Sequence, residues 1–111
     1  MNVRQFPESD WKQWRKLSAA ALERYCTRIL DESAAFANDK GTAHERYLRL
    51  YRHIHKRDDV MATVFNDQRR STAFVQIAAA VTAGIIDFEE LDVLSEETQA
   101  VIAFLTGEED E

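Results

Sequence analysis

Cysteine, proline and glycine are scarce in this sequence of 111 residues, which contains one, one and three of them, respectively. A single thiol excludes an internal disulfide, and so few turn-forming residues leave little material for the hairpins of a β-sheet. Ala, Leu, Glu, Arg and Gln, which favour helices, are plentiful instead. We therefore expect an all-α fold, a compact bundle of four to five helices that begins with a long helical hairpin.

A long hydrophobic run is also missing. The longest apolar run without a charge, residues 71–86, is shorter than the roughly 20 residues that a transmembrane helix needs. The first residues, MNVRQFPESDW, lack the apolar centre of a signal peptide. We expect a soluble cytoplasmic protein without membrane contact, with one domain over residues 1–107 and a disordered acidic tail over residues 108–111.

Sequence motifs for catalysis, metal binding or cofactor binding are absent. There is no glycine-rich phosphate loop, no G-x-S-x-G and no zinc-type spacing of Cys and His. His53 and His55 are two residues apart, whereas two metal ligands on one helix need a spacing of three or four. We predict no catalytic residue, no metal and no cofactor. A non-enzymatic function is favoured over a small helical enzyme whose site is built from scattered residues.

One short segment resembles part of a metal-binding loop. The sequence GIIDFEEL, residues 84–91, is similar to the second half of an EF-hand, with Asp87 at the ninth loop position and Glu90 at the twelfth. The first half of such a loop supplies further oxygen ligands, and here those positions hold Ala79, Val81 and Ala83. Because these side chains carry no oxygen, we expect no calcium binding.

The net charge of −6 hides a division along the chain. Residues 1–57 contain 12 Lys and Arg against 7 Asp and Glu, whereas residues 58–111 contain 2 against 13, so the two halves carry net charges of +5 and −11. One interpretation is that the acidic half lies across the basic half and neutralises it within one molecule. The alternative is that one half faces a partner of opposite charge.

The most apolar stretch lies between Ser71 and Gly84, where Gln76 and Thr82 are the only polar side chains after the first two residues. A helix that is apolar on nearly all sides has to be buried on nearly all sides. We therefore predict a central helix over residues 71–83, ended by Gly84. The residues expected to be almost wholly buried are Phe74, Ile77, Ala78 and Val81.

Two helices precede this stretch. The first is predicted over residues 10–37, with Ser9 or Asp10 as its N-cap, because apolar residues recur there at steps of three and four. Thr42 and Glu45 form a capping box, so a second helix follows after a short loop and packs antiparallel to the first. Asp58 and the residue after it predict a break or kink in this second helix.

The second helix has an apolar side and a basic side. Its apolar stripe, which we expect to pack on the first helix, consists of Tyr47, Leu48, Leu50, Tyr51 and Ile54. Its outward basic face includes His53 and the candidate anion-binding residues Arg46, Arg49, Arg52, Lys56 and Arg57. A nucleic-acid or polyanion binder is the alternative function that this face supports, although charged faces are usually solvated and nucleic acid is the less favoured partner.

Short capped helices are expected after Gly84. Asp87 and Glu90 form a second capping box, which predicts a short helix over residues 88–92. Ser95 is the predicted N-cap of a last helix over residues 96–106, and Gly107 ends it.

Two tryptophans and a leucine near the start of the first helix, Trp11, Trp14 and Leu17, have two interpretations. At helical spacing they are typical of a core, but exposed Trp is also enriched in binding hot spots, so they are candidate partner-binding residues. The long first helix carries more large apolar side chains than a shorter second helix can cover. We therefore expect a protein-interaction or regulatory module with an unknown protein partner, and a homodimer formed through this helix.

Overall fold

The computed structural model describes residues 5–108. Its four α-helices are α1 (Glu8–Ala37), α2 (Ala43–Phe65), α3 (Ala73–Thr82) and α4 (Glu96–Thr106), and 3-10 helices lie at Arg70–Thr72 and Phe88–Val93. No strand occurs in the described residues, so the all-α prediction is confirmed. Of the helices described, none is both long and apolar enough to cross a membrane. The predicted disordered tail lies outside the described residues except for Glu108.

Helices α1 and α2 form the predicted hairpin. The capping box at the start of α2 is confirmed, because Glu45 N donates to Thr42 Oγ1 (3.1 Å) and Thr42 N donates to Glu45 Oε1 (2.9 Å). The predicted break at Asp58 is wrong, since α2 continues to Phe65. Asp58 is exposed, and a carboxylate in solvent does not disturb a helix. After it, Val60, Met61 and the buried Val64 continue the apolar period against the core.

The hydrophobic core lies at one end of this hairpin. It is built from the first half of α1, the end of α2, α3, the Phe88–Val93 segment and α4. The larger core side chains are Phe6, Trp14, Tyr25, Val64, Ile77, Ile85, Ile86, Leu91 and Ile102. The molecule is therefore elongated, measuring 57 × 30 × 23 Å, and its radius of gyration of 16.8 Å exceeds the roughly 13 Å typical of this length.

Helix α3 is central, but it is buried on one side only. Ile77 is fully buried as predicted, whereas Phe74, Ala78 and Val81 are only partly buried and Val75 is 65% exposed. The prediction of burial on nearly all sides is thus wrong. Helices α2 and α4 cover the Ile77 side, and no described segment covers the side that carries Val75.

The end of α3 confirms the predicted glycine stop. Gly84 has a left-handed φ of 74°, which glycine adopts without steric cost. Its backbone nitrogen donates to the Val81 carbonyl (3.0 Å), and the Ile85 nitrogen donates to the Ala80 carbonyl (2.9 Å). This is the Schellman pattern, and it turns the chain so that Ile85 and the residue after it enter the core.

A buried carboxylate joins the first turn of α1 to the first turn of α4. Asp10 accepts hydrogen bonds from Ser95 N (2.8 Å), Ser95 Oγ (2.7 Å) and Thr98 Oγ1 (2.5 Å). The prediction that Ser9 or Asp10 caps α1 is wrong, since the N-cap is Pro7. Asp10 instead stabilises the start of α4, where unpaired N–H groups favour a negative charge. Burial would raise the pKa of Asp10, but the hydrogen bonds from Thr98 and Ser95 outweigh it and lower that pKa.

We expect Ile77→Asp to unfold the domain, because an unpaired carboxylate in the core costs several kcal/mol against a total stability of about 5–15 kcal/mol. Val75→Asp is the matched control on the same helix, and it should keep the wild-type melting temperature because Val75 faces solvent. Circular dichroism melting of the three proteins measures both effects. An Ile77→Asp protein that melts within a few degrees of the wild type would refute this packing.

We expect Asp10→Asn to lower the free energy of unfolding by about 1–3 kcal/mol at neutral pH, because a neutral amide cannot accept all three hydrogen bonds. The folded pKa of Asp10 lies below its unfolded value, so its carboxylate stabilises the fold at neutral pH and loses that contribution as the pH falls through the folded value. Urea unfolding should therefore show a larger difference at about pH 7 than at about pH 3.

The control for this measurement is Asp92→Asn, which removes an exposed carboxylate and should leave the stability unchanged at both pH values. A loss of stability in Asp10→Asn that is the same at both pH values would contradict the assigned role of the charge.

Candidate interaction surface

The distal part of the hairpin extends beyond the core. In α1 the last buried residue is Tyr25, and in α2 the first buried residue is Val64. The structure describes every residue between these two, and none of their side chains is buried. We call residues 26–60 the arm. At its base, Ile29 and Val60 still pack against the core. Beyond them the arm is a pair of helices without a third layer, so each of its two broad faces is accessible to solvent.

One face of the arm is ionic. Glu32 accepts hydrogen bonds from His53 Nε2 (2.7 Å) and from Arg57 Nε and NH2 (3.2 and 3.1 Å). Burial would raise the pKa of Glu32, but the hydrogen bonds from His53 and Arg57 outweigh it and hold the pKa below its ordinary value. Phe36 covers this cluster, with its ring 4.7 Å from the His53 ring. These contacts join α1 to α2 where the core no longer does so.

Two arginines of α2 close the C-terminal end of α1. Arg46 NH1 donates to the Ala37 carbonyl (2.6 Å), and Arg49 NH2 donates to the Lys40 carbonyl. Carbonyl groups at a helix C-terminus lack partners within the helix and carry partial negative charge, which guanidinium groups satisfy. With His53 and Arg57, four of the six residues of the predicted outward basic face are therefore turned toward α1 or the loop after it, which corrects the predicted orientation of α2.

The predicted apolar stripe of α2 is correspondingly exposed. Tyr47 is 60% exposed and Ile54 is 45% exposed, and Tyr51 also lies at the surface. The prediction that this stripe packs on α1 is wrong for these three residues, whereas Leu48 and Leu50 are half-buried. The side of α1 that it would meet presents Glu32 and the end of the helix, which pair better with Arg and His than with tyrosine rings.

The second face of the arm is apolar. It contains an open groove of about 330 Å³, lined by Cys26, Ile29, Leu30, Ile54, Asp58 and Met61. Leu30, on the rim of this groove, is 70% exposed. A second hollow of about 200 Å³ lies nearer the tip, where Ala37, Ala43, Arg46, Tyr47 and Leu50 line it. We call these two hollows together the apolar face of the arm; the only carboxylate that lines them is that of Asp58.

The tryptophan end of α1 is covered within the molecule. The ring of Phe6 lies edge-on against Trp11, 6.4 Å away, and edge-on against Phe74, 5.1 Å away. Trp14 is fully buried, while Trp11 and Leu17 are partly buried against the core. The structure thus places the three candidate partner-binding residues in and beside the core, which agrees with the first of their two interpretations.

The five candidate anion-binding residues are not brought together as one surface. Arg46 and Arg49 bond to carbonyls of the first helix and its loop, and Arg57 pairs with Glu32. Arg52 and Lys56 are exposed, one turn apart on α2, and form no ion pair with any residue between 5 and 108. This leaves two free cations for an anion, which is a small site.

The segment that resembles an EF-hand is held by two arginines of α1. Arg24 donates to the Ile85 carbonyl (2.8 Å) and to Glu90 Oε2 (3.0 Å), and Arg28 donates to the Gly84 carbonyl (3.0 Å). Glu90 also accepts from the Asp87 backbone nitrogen (2.9 Å), as the predicted capping box requires. In the part of the chain that the structure describes, no three His, Cys, Asp or Glu side chains are grouped so as to hold a metal.

We expect calcium at about 1 mM, a concentration that fills even weak extracellular calcium sites, to leave the melting temperature and the far-UV circular dichroism unchanged. Calcium would have to displace the guanidinium of Arg24 from Glu90 and would gain few other oxygen ligands. Glu90→Gln is the control, because it removes the strongest ligand of a calcium loop. A saturable shift in the wild type that this variant abolishes would show that a calcium site exists.

Comparison with protein-family models, with curated protein sequences and with solved structures finds no match for this chain. The functional argument therefore depends on the surface that the chain itself presents.

Proposed function

We propose that this protein is a non-enzymatic interaction module whose binding surface is the apolar face of the arm. The observation that carries the proposal is the combination of an arm without buried residues and a groove lined almost entirely by apolar side chains. Leucine, isoleucine and tyrosine side chains exposed together on one face are typical of surfaces that a partner covers. Side chains scattered singly over a surface need no such explanation, but here they lie on adjacent helices.

The rim of the groove indicates the chemistry of the partner. Asp58 lines the groove from the α2 side, and Glu23 is exposed on α1, one turn before Cys26. A partner helix with an apolar stripe and basic flanks is complementary to such a surface in both respects. The ionic face of the arm has a supporting role, since the Glu32 cluster fixes α2 against α1 and so keeps the groove open and in shape.

The nucleic-acid or polyanion alternative has less support. Three of its five basic residues are engaged in the hairpin, and Arg52 and Lys56 remain free at the surface. Polyanion binding through them would fall steeply with salt, because each phosphate contact releases a counterion. A cytoplasmic setting is part of the interaction proposal and does not distinguish the two functions.

Leu30→Glu should abolish partner binding without changing the fold, because Leu30 is mostly exposed and a carboxylate in its place puts a charge where the apolar stripe of the partner has to pack. The tagged wild-type protein and this variant are each used to capture partners from an extract of the native host, and the captured proteins are quantified by mass spectrometry. Proteins that the wild type captures at least about ten-fold better than Leu30→Glu are the expected result.

Val93→Glu is the matched control, since Val93 is an exposed apolar residue far along the chain from the arm and at the surface of the Phe88–Val93 segment. It should capture the same proteins as the wild type. If Leu30→Glu and Val93→Glu capture every protein equally well, the apolar face of the arm is not the binding surface.

A further inference from the structure

Helix α1 has a second, exposed stripe beside the side that faces the core. Its members recur at steps of three and four residues, and all lie at the surface or are half-buried: Lys12, Arg15, Ala19, Leu22, Cys26 and Leu30. The apolar members at the end of this stripe, Cys26 and Leu30, also line the groove. This spacing is that of a coiled-coil seam, which packs against another helix.

The stripe carries opposite charges at its two ends. Near the start of α1, Lys12, Arg15 and Lys16 are exposed and form no ion pair with another residue that the structure describes. Toward the arm, Asp58, which lines the groove beside Leu30, is exposed and likewise lacks an ion pair within the described chain. The surface is therefore basic at one end, apolar in the middle and acidic at the other end.

We propose that the occupant of this surface is a second copy of the chain, which packs its α1 antiparallel across a two-fold axis midway between Leu22 and Cys26. The inference depends on the proposed function, because it identifies the partner that the arm binds. An antiparallel two-fold arrangement brings the basic end of each copy to the acidic end of the other. The apolar middle meets its own copy, so Leu22 of one molecule lies level with Cys26 of the other.

The register makes the charge pairing specific. Leu30, which lines the groove with Asp58, is level with Ser18 of the second copy, so Arg15 of that copy, three residues from Ser18, lies within one turn of Asp58. Each such pair occurs twice because of the two-fold symmetry. Ala19, whose side chain is small, lets the two helices approach closely beside the axis. The second copy thus supplies the basic flanks and the apolar stripe that the groove requires.

The size of the surface sets the expected affinity. Residues 12–36 of α1 overlap completely in this arrangement and span about 37 Å at 1.5 Å per residue. A strip of that length and one helix wide covers roughly 400 Å² per molecule, to which the exposed Ile54 side of the arm adds. Since stable complexes bury about 800 Å² per partner, this strip is small, and we expect a weak, reversible dimer with a dissociation constant in about the micromolar range.

Sedimentation equilibrium of the full chain from about 5 to about 500 µM tests the proposal, because this range brackets a micromolar dissociation constant. The apparent mass should rise from the monomer value of 12.8 kDa toward twice that value. Leu30→Glu should remain monomeric across the range, whereas Val93→Glu should dimerise like the wild type. A wild type that stays monomeric at the highest concentration overturns the proposal.

Charge reversal tests the register. Arg15→Glu should weaken the dimer about five-fold, and Asp58→Arg should weaken it by a similar factor, because each removes two exposed ion pairs. The double variant restores the pairs with reversed charges and should recover most of the wild-type affinity. Both residues are exposed, so the fold is not at risk. A double variant as weak as the product of the two single effects rejects the antiparallel register.

Cys26 provides an independent measurement, since it is the only cysteine and lies beside the proposed axis. A short bis-maleimide should join two wild-type chains in good yield at about 100 µM, a concentration above the expected dissociation constant. The yield should fall to the level of random collision in Leu30→Glu. Equal yields in the two proteins would contradict the proposal.

The outcome also separates this inference from the proposed function. If the chain does not self-associate but captures another protein in a way that depends on Leu30, the second copy is not the occupant of the surface. The proposed interaction module then still stands. Failure of both overturns the two together.

Discussion

Two helices packed against each other touch along one line, and this constraint governs the molecule. A pair of helices cannot surround a side chain, so burial requires a third element. Near the core, α3 and α4 supply that element and Trp14 is fully buried. Beyond Tyr25 they do not, and the hairpin there is held by ion pairs and by arginines that bond to carbonyl groups. The apolar face of the arm is the consequence.

Sequence periodicity was sufficient to predict which segments are helical. Three of the predicted features depend only on residues within one turn of each other, so local spacing determines them. They are the start of α2, the glycine stop after α3 and the Ser95 cap of α4. The predicted break at Asp58 was wrong because two consecutive acidic residues give the same sequence signal at the start of a helix and in the middle of one. Local signals cannot distinguish these cases when the apolar period continues.

The orientation of α2 could not be predicted from its own sequence. Both its tyrosine stripe and its arginine stripe recur at helical spacing, and the choice between them depends on what α1 presents at that level. The partner of Arg57 is Glu32, 25 residues earlier in the chain, and that of Arg46 is a backbone carbonyl, which carries no sequence signal at all. The role of Asp10 was missed for the same reason, since its partners lie 85 and 88 residues away.

The division of charge along the chain is partly neutralised within the molecule. Arg24 pairs with Glu90 across the division, which neutralises part of the basic half within the molecule. Lys12, Arg15 and Lys16 form no ion pair within residues 5–108 and remain exposed. The basic charge of α1 is neutralised where the last third of the chain covers this helix. Its exposed basic residues lie near the stripe of α1 that the last third of the chain does not cover.

The bonds from Asp10 to Ser95 and Thr98 also bear on the order in which the protein folds. The hairpin of α1 and α2 closes through neighbours a few tens of residues apart, which is entropically inexpensive and fast. The bonds between the first turn of α1 and the first turn of α4 close a loop of almost the whole chain and therefore form late. On a ribosome that delivers residues in sequence, the hairpin exists before α4 has emerged, with the side of α1 that carries Trp14 still uncovered. During that interval the nascent chain exposes two apolar surfaces, and it is then that a chaperone has most to bind.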